Sequence, residues 1–165
     1  GEAVGWFQGR MEFGPRALGG RSILADPRSS SMQKKLNLKV KYRESFRPFA
    51  PSVLYERQAE IFELDTYSPY MLVTTTVKPE WRDKIPAVTH FDNTSRYQSV
   101  TEQSNANYHK LISAFADKTG IPVVLNTSFN GPEEPIVETP ADAVHTMFKH
   151  GLYALVINNY IITRK

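Results

Sequence analysis

Lys41 and Arg43 stand one residue apart in the stretch Lys41-Tyr42-Arg43-Glu44-Ser45-Phe46-Arg47-Pro48-Phe49-Ala50-Pro51. On an extended segment, side chains two positions apart project to the same side. Arg47 follows just before a proline-led strand. Three cations aimed into one space repel each other unless an anion lies between them, which is how a phosphate clamp is built. A solvated basic loop is the plain alternative. A second segment, residues 9–22, places Arg10, Arg16 and Arg21 among four glycines. Glycine lets backbone approach a ligand or another chain closely. Arginine forks grip phosphate or carboxylate through paired bonds. These residues suit ligand contact or a domain interface, with Glu12 as partner of one arginine, or else a twisting turn with exposed charges.

Two later segments add polar groups. Thr89-His90-Phe91-Asp92-Asn93-Thr94-Ser95-Arg96 offers hydroxyls, an amide and an arginine at a strand-to-strand turn. His90 and Asp92 suit either an acid–base pair or turn hydrogen bonds, whereas Arg96 suits a phosphate or carboxyl group. Asn126-Thr127-Ser128-Phe129-Asn130-Gly131 follows a short apolar strand. Backbone amides and short hydroxyls at such a strand end can ring a phosphate, or simply form a turn.

Other chemistries lack their residues. The 165-residue chain has no cysteine, which removes disulfides, thiol nucleophiles and thiolate metal sites. Its four histidines fall in no metal-ligand spacing, so no metal site is expected here. No P-loop, Rossmann or nucleophile-elbow pattern is present. The net charge of +3 is uneven: residues 2–57 hold eleven Lys/Arg against five Asp/Glu. That bias suits an anionic partner. Nucleic acid has only this charge behind it and is not expected as a partner. No apolar run reaches the roughly 18 residues of a bilayer span, and no basic-then-apolar leader is seen, so a cytoplasmic location without membrane contact is expected. The opening Gly1-Glu2-Ala3-Val4 lacks methionine and runs directly into a dense motif, as a boundary inside a longer protein would.

The elements that must position these groups are those of one α/β domain spanning 1–165, with a mixed, twisted sheet flanked by helices. Strands are predicted at 3–8, 49–54, 70–77, 87–90, 96–101 and 123–125, and a hairpin at 154–157 and 160–163 around Asn158-Asn159. Helices are predicted from Pro15, from Ser29–Ser31 to Leu38, at 58–64, and from Tyr108 to Gly120. The last begins at Thr139, with Pro140 in its first position, Asp142 as capping-box partner, and Ala141, Val144, Met147 and Phe148 facing inward.

Residues 5–28, 43–51 and 126–130, in that order, resemble the C-terminal domain of the nodulation and antibiotic-type O-carbamoyltransferases. The resemblance covers nearly the whole chain and implies a YrdC-like fold. It implies that Lys41-x-Arg43 and Asn126–Asn130 handle a nucleotide. Carbamoyl phosphate would lose phosphate, and the carbamate would attack ATP, with Mg, to give carbamoyl-adenylate and pyrophosphate. An N-terminal Kae1-like domain, carrying its own metal, would then pass the carbamoyl group to a small-molecule hydroxyl acceptor. In this scheme Lys41, Arg43 and Arg96 are catalytic through electrostatic stabilisation, and Arg10, Arg16, Arg47, Asn126, Thr127, Ser128 and Asn130 are cofactor-binding, holding ATP phosphates or carbamoyl oxygens. Asn93 and Ser95 depart from the glycine and alanine common in the family. A non-catalytic nucleotide- or RNA-binding module, or a docking domain, is the rival reading.

Overall fold

The computed structural model describes residues 1–164. Nine strands form: β1 (Val4–Phe7), β2 (Arg21–Ala25), β3 (Ala50–Leu54), β4 (Thr74–Thr76), β5 (Thr94–Arg96), β6 (Gln98–Val100), β7 (Val123–Ser128), β8 (Ala154–Ile157) and β9 (Tyr160–Thr163). Five helices accompany them: α1 (Ser30–Lys39), α2 (Gln58–Ile61), α3 (Pro79–Arg82), α4 (Ala106–Thr119) and α5 (Pro140–Lys149). The main sheet runs β6-β3-β7-β2-β1-β8-β9, and β4 pairs with β5 in a separate ribbon. The parallel pairs β1–β8 and β3–β6 and the remaining antiparallel pairs make it a mixed sheet, as anticipated.

Alternation along the strands sorts the core into two layers. Phe7, Ile23, Val53, Val123 and Leu125 face one side, with Met32 and Leu36 of α1 and Ala143 and Met147 of α5. Trp6, Leu24, Leu54 and Val124 face the other, covered by Tyr108, Ile112 and Ala116 of α4. Since both faces of the central strands are covered, Val123–Leu125 reads as an unbroken apolar run. Local caps set the ends of α4 and α5, whereas Ser29 at the start of α1 makes no side-chain cap bond. Asn105 caps α4 by accepting from the Tyr108 amide at 3.1 Å, and Gly120 ends it at φ +76°. Thr139 and Asp142 complete the capping box of α5.

Several elements differ from the sequence expectation. No helix starts at Pro15; residues 9–20 form an irregular loop, because Gly9 and Gly19 take φ of +54° and +102°. Among the described residues Glu12 pairs with no arginine. Its Oε1 accepts from the amides of Leu18 (2.6 Å) and Gly20 (2.7 Å), so it staples the loop to itself. Only Thr74–Thr76 of the 70–77 segment is strand, since Met71 turns the chain at φ +58°. Residues 86–88 form a 3-10 turn led by Pro86. The 96–101 strand splits: β5 joins the ribbon and β6 the main sheet, with Tyr97 fully buried at the corner and stacked on Phe62. On α5 the inward residues are Ala143, Thr146 and Met147, with Val144 half-buried; Ala141 and Phe148 are exposed.

The loop is pinned by Trp6, whose indole Nε1 donates to the Gly19 carbonyl at 2.9 Å. A Cβ at Gly19 would overlap the Tyr108 ring, and its φ is one L side chains avoid. Gly19→Ala should therefore cost at least about 2–3 kcal/mol, from overpacking and backbone strain together. Urea titration checks this; a loss below about 1 kcal/mol, the level of an ordinary substitution, would contradict it.

Candidate anion site at the end of the central strand

Strand β7 is longer than its apolar run. Asn126–Ser128 continue it, paired to Leu24, Ile23 and Ser22 of β2. The Phe129 amide donates to the Arg21 carbonyl, Asn130 to Ser128 and Gly131 to Glu134 Oε2, so these three amides are not free to form a phosphate nest. Side chains carry the polarity here. Lys41, just past α1, is buried, and its Nζ reaches the Ser128 carbonyl (2.7 Å), Ser128 Oγ (3.2 Å), the Asn130 carbonyl (3.0 Å) and Asn130 Oδ1 (2.9 Å). Burial pushes Lys41 down to about 7; the nearby Arg43 charge adds to this and Glu134 opposes it.

The Lys41–Arg43 segment is not extended. Tyr42 takes φ +45°, and the two cations diverge. Lys41 points to the strand end, while Arg43 Nε donates to Asn37 Oδ1 at 2.7 Å and its guanidinium lies 4.9 Å from the Phe49 ring centroid. Arg43, Arg16 and Arg96 then line a pocket of about 140 Å³ together with Asn126, Thr127 and Ser128. Among the described residues none of these three arginines is within 4.0 Å of a carboxylate. Burial lowers Arg96, with Arg16 adding repulsion, and lowers Arg43, with Arg47 adding to it. No Asp or Glu lines the pocket. Three cations lining one pocket without a counter-charge are an arrangement able to receive a small, multiply charged anion.

The wall between Arg16 and the strand rests on a buried amide. Asn126 Nδ2 lies within hydrogen-bonding distance of the Ala17 carbonyl (3.0 Å), Ser52 Oγ (3.0 Å) and Gln98 Oε1 (3.1 Å), sharing its two protons among them, and Gln98 Nε2 donates to the Leu18 carbonyl. This network ties loop 9–20 to β3, β6 and β7. Ser52, Gln98 and Asn37 carried no motif. Their only signal was polarity at positions that the strand and helix patterns place inside.

The whole described chain, residues 1–164, matches the family described as the carbamoyltransferase C-terminus. The chain belongs to this family. Among its relatives, the nodulation protein NolNO of Sinorhizobium fredii is 48% identical over 168 residues, covering 100% of this chain and 25% of its own length. The nodulation protein NolO of Bradyrhizobium diazoefficiens is 44% identical over 168 residues, covering 100% of this chain and 31% of its own. An uncharacterised protein of Synechocystis is 47% identical over 184 residues, with 99% and 30% covered. The chain thus spans between 25% and 31% of the length of these relatives.

Within this carbamoyltransferase C-terminal domain the anticipated site residues separate. Arg16, Arg43, Arg96, Asn126, Thr127 and Ser128 line one pocket; Lys41 and Asn130 do not line it, and both meet Ser128 Oγ, which does. Arg10 lies elsewhere, on a larger cleft with Gln8, Tyr67 and Tyr70. Arg47 is exposed and paired with Glu44 at 2.7 Å. Arg21 is buried under the Phe7 ring and donates to the carbonyls of Gln8, Gly9 and Gly20, a purely architectural place. Asp92 caps the Thr94 amide and hydroxyl, and His90 faces Thr94 Oγ1, so both settle the turn. Among the described residues no cluster of three or more His, Cys, Asp or Glu could hold a metal, and no helix is long and apolar enough to cross a membrane.

Proposed function

We propose that this domain is the carbamoyl-phosphate- and ATP-handling part of an O-carbamoyltransferase. The observation that carries the reading is the set of three carboxylate-free arginines over the end of β7. A pocket of about 140 Å³ suits one phosphoryl-sized group, so carbamoyl phosphate or a single phosphate of ATP sits there and a nucleoside extends outward. In the first stage water releases phosphate from carbamoyl phosphate. The carbamate oxygen then attacks the α-phosphorus of ATP, the bond to the β-phosphate breaks, and pyrophosphate leaves. An acceptor hydroxyl later attacks the carbamoyl carbon and releases AMP. The charge that builds on the phosphoryl oxygens lies within reach of Arg16, Arg43 and Arg96, whose positions are set before reaction.

Magnesium would arrive with the nucleotide, since the pocket offers no carboxylate to hold it. The second stage belongs to the remainder of the protein: a Kae1-like N-terminal domain with its own metal, and an acceptor site on it. The reading is tested by carbamoyl-phosphate-dependent exchange of labelled pyrophosphate into ATP, first with the full-length protein and then with this chain alone. Exchange by both places the first stage in this domain. Exchange by the full-length protein alone makes that stage shared. No exchange by either, with acceptor carbamoylation intact, would rule out an adenylate.

A further inference from the structure

We propose that His150 and Glu134 form a brace that positions Lys41 and Arg43 for anion binding. This rests on the anion-site reading above. The brace begins behind the pocket. Asn130, which receives Lys41 through Oδ1, donates from Nδ2 to the Glu134 carbonyl at 2.8 Å. Glu134 Oε2 accepts from the Gly131 amide at 3.0 Å and lies 3.3 Å from His150 Nε2; Oε1 pairs with Lys149. The Lys149 bond above all holds Glu134 down to about 2, so the group is a carboxylate. A carboxylate only accepts, which puts a proton on His150 Nε2. Nδ1 of that ring is buried and has no partner among the described residues.

The other side of His150 meets the cationic turn. Tyr42, held at φ +45° between Lys41 and Arg43, lays its ring edge-on against the imidazole, with centroids 5.7 Å apart. One buried ring at the end of α5 thus touches both segments that set the two cations: the Asn130–Glu134 loop and the Lys41–Arg43 turn. There is no slack. A Cβ at Gly131 would overlap His150 Nε2 and crowd Glu134. Neither residue lines the pocket, so neither is a catalytic residue; both act through others.

The test uses ATP as probe, by calorimetric titration of the full-length protein, with melting temperature recorded for every variant. His150→Phe keeps the aromatic contact with Tyr42 but loses the proton facing Glu134. ATP affinity should fall about tenfold, within the range by which a positioning contact outside a site changes binding there. His150→Gln, whose amide can donate from the same place, should recover most of it. Unchanged affinity in His150→Phe, or no recovery in His150→Gln at wild-type stability, overturns the brace. If His150→Phe does not fold, Tyr42→Ala removes the second contact from the surface, and unchanged affinity there overturns it too. Arg43→Ala measured alongside separates the failures. If that variant binds ATP as wild type, the anion site itself is wrong and the brace falls with it. If it loses ATP while the His150 and Tyr42 variants do not, only the brace is wrong.

Discussion

Arg43→Ala should abolish pyrophosphate exchange and leave the fold standing. Among the described residues the side chain makes one hydrogen bond, to Asn37, lies against the Phe49 ring and lines the pocket. Losing that bond leaves Asn37 Oδ1 without its donor, a cost of about 1–2 kcal/mol against the protein. Losing a charged donor from a phosphate costs about 1.5–3 kcal/mol in binding, or roughly 10- to 150-fold in affinity. The expected result is a weakening of that order for inorganic phosphate and carbamoyl phosphate by calorimetry, with a far-UV spectrum unchanged. Arg43→Lys should recover only part of it, because an ammonium cannot make the paired bonds of the guanidinium fork. A well-folded Arg43→Ala variant that binds both anions within twofold of wild type would take Arg43 out of the site.

Lys41→Met acts on fold and site together. Methionine fills most of the space but gives nothing to the oxygens of Ser128 and Asn130 that now surround Nζ. Leaving these acceptors unmet costs about 2 kcal/mol or more, which for a chain of this size lowers the melting temperature by roughly 4–8 °C. The pH dependence is more diagnostic. In the fold Lys41 titrates near 7, well below an unfolded lysine at about 10.4. Between those values the unfolded chain binds the extra proton, so this group's contribution to folding stability rises with pH. In the same window the ammonium that tethers Ser128 and Asn130 is lost, and anion affinity should fall. Arg43, Glu134 and, through Glu134, His150 and Lys149 face this group, and none of them needs to titrate for the effect. Above pH 7, wild-type stability should climb while phosphate binding weakens, and both slopes should flatten in Lys41→Met. Parallel slopes in wild type and variant would refute the assignment.

Much of the scaffold was readable because its signals are local. The capping box at Thr139, the stop at Gly120, the Asn158 turn and the apolar run at 123–125 each depend on neighbours within a few residues. The elements that went wrong were set by distant contacts. Pro15 looked like a helix start until Gly19 was committed to the Trp6 indole, and the 96–101 strand looked continuous until Tyr97 was drawn into a core beside Phe62. The site behaved likewise. Residue type marked Arg16, Arg43, Arg96 and the Asn126–Asn130 segment as polar groups in search of an anion. It also marked Arg10 and Arg47, which have the same chemistry and a different address. Nothing in composition separates an arginine that converges from one that faces solvent. Glu134 and His150 lay outside every motif because their meaning comes only from what they touch.

The position of β7 has a consequence for how the protein is made. Strand β7 is inserted between β2 and β3, yet it follows both by some seventy residues or more along the chain. A nascent polypeptide that ends before residue 123 has two strands with no common neighbour, and a glycine loop with no Asn126 to hold it. Arg16, Arg43 and Arg96 then have no floor to gather over. Long-range closure of this kind is slow, because chain entropy is spent before contacts repay it. The pocket is accordingly among the last things to mature, and a prematurely terminated product carries its arginines without the strand that completes it.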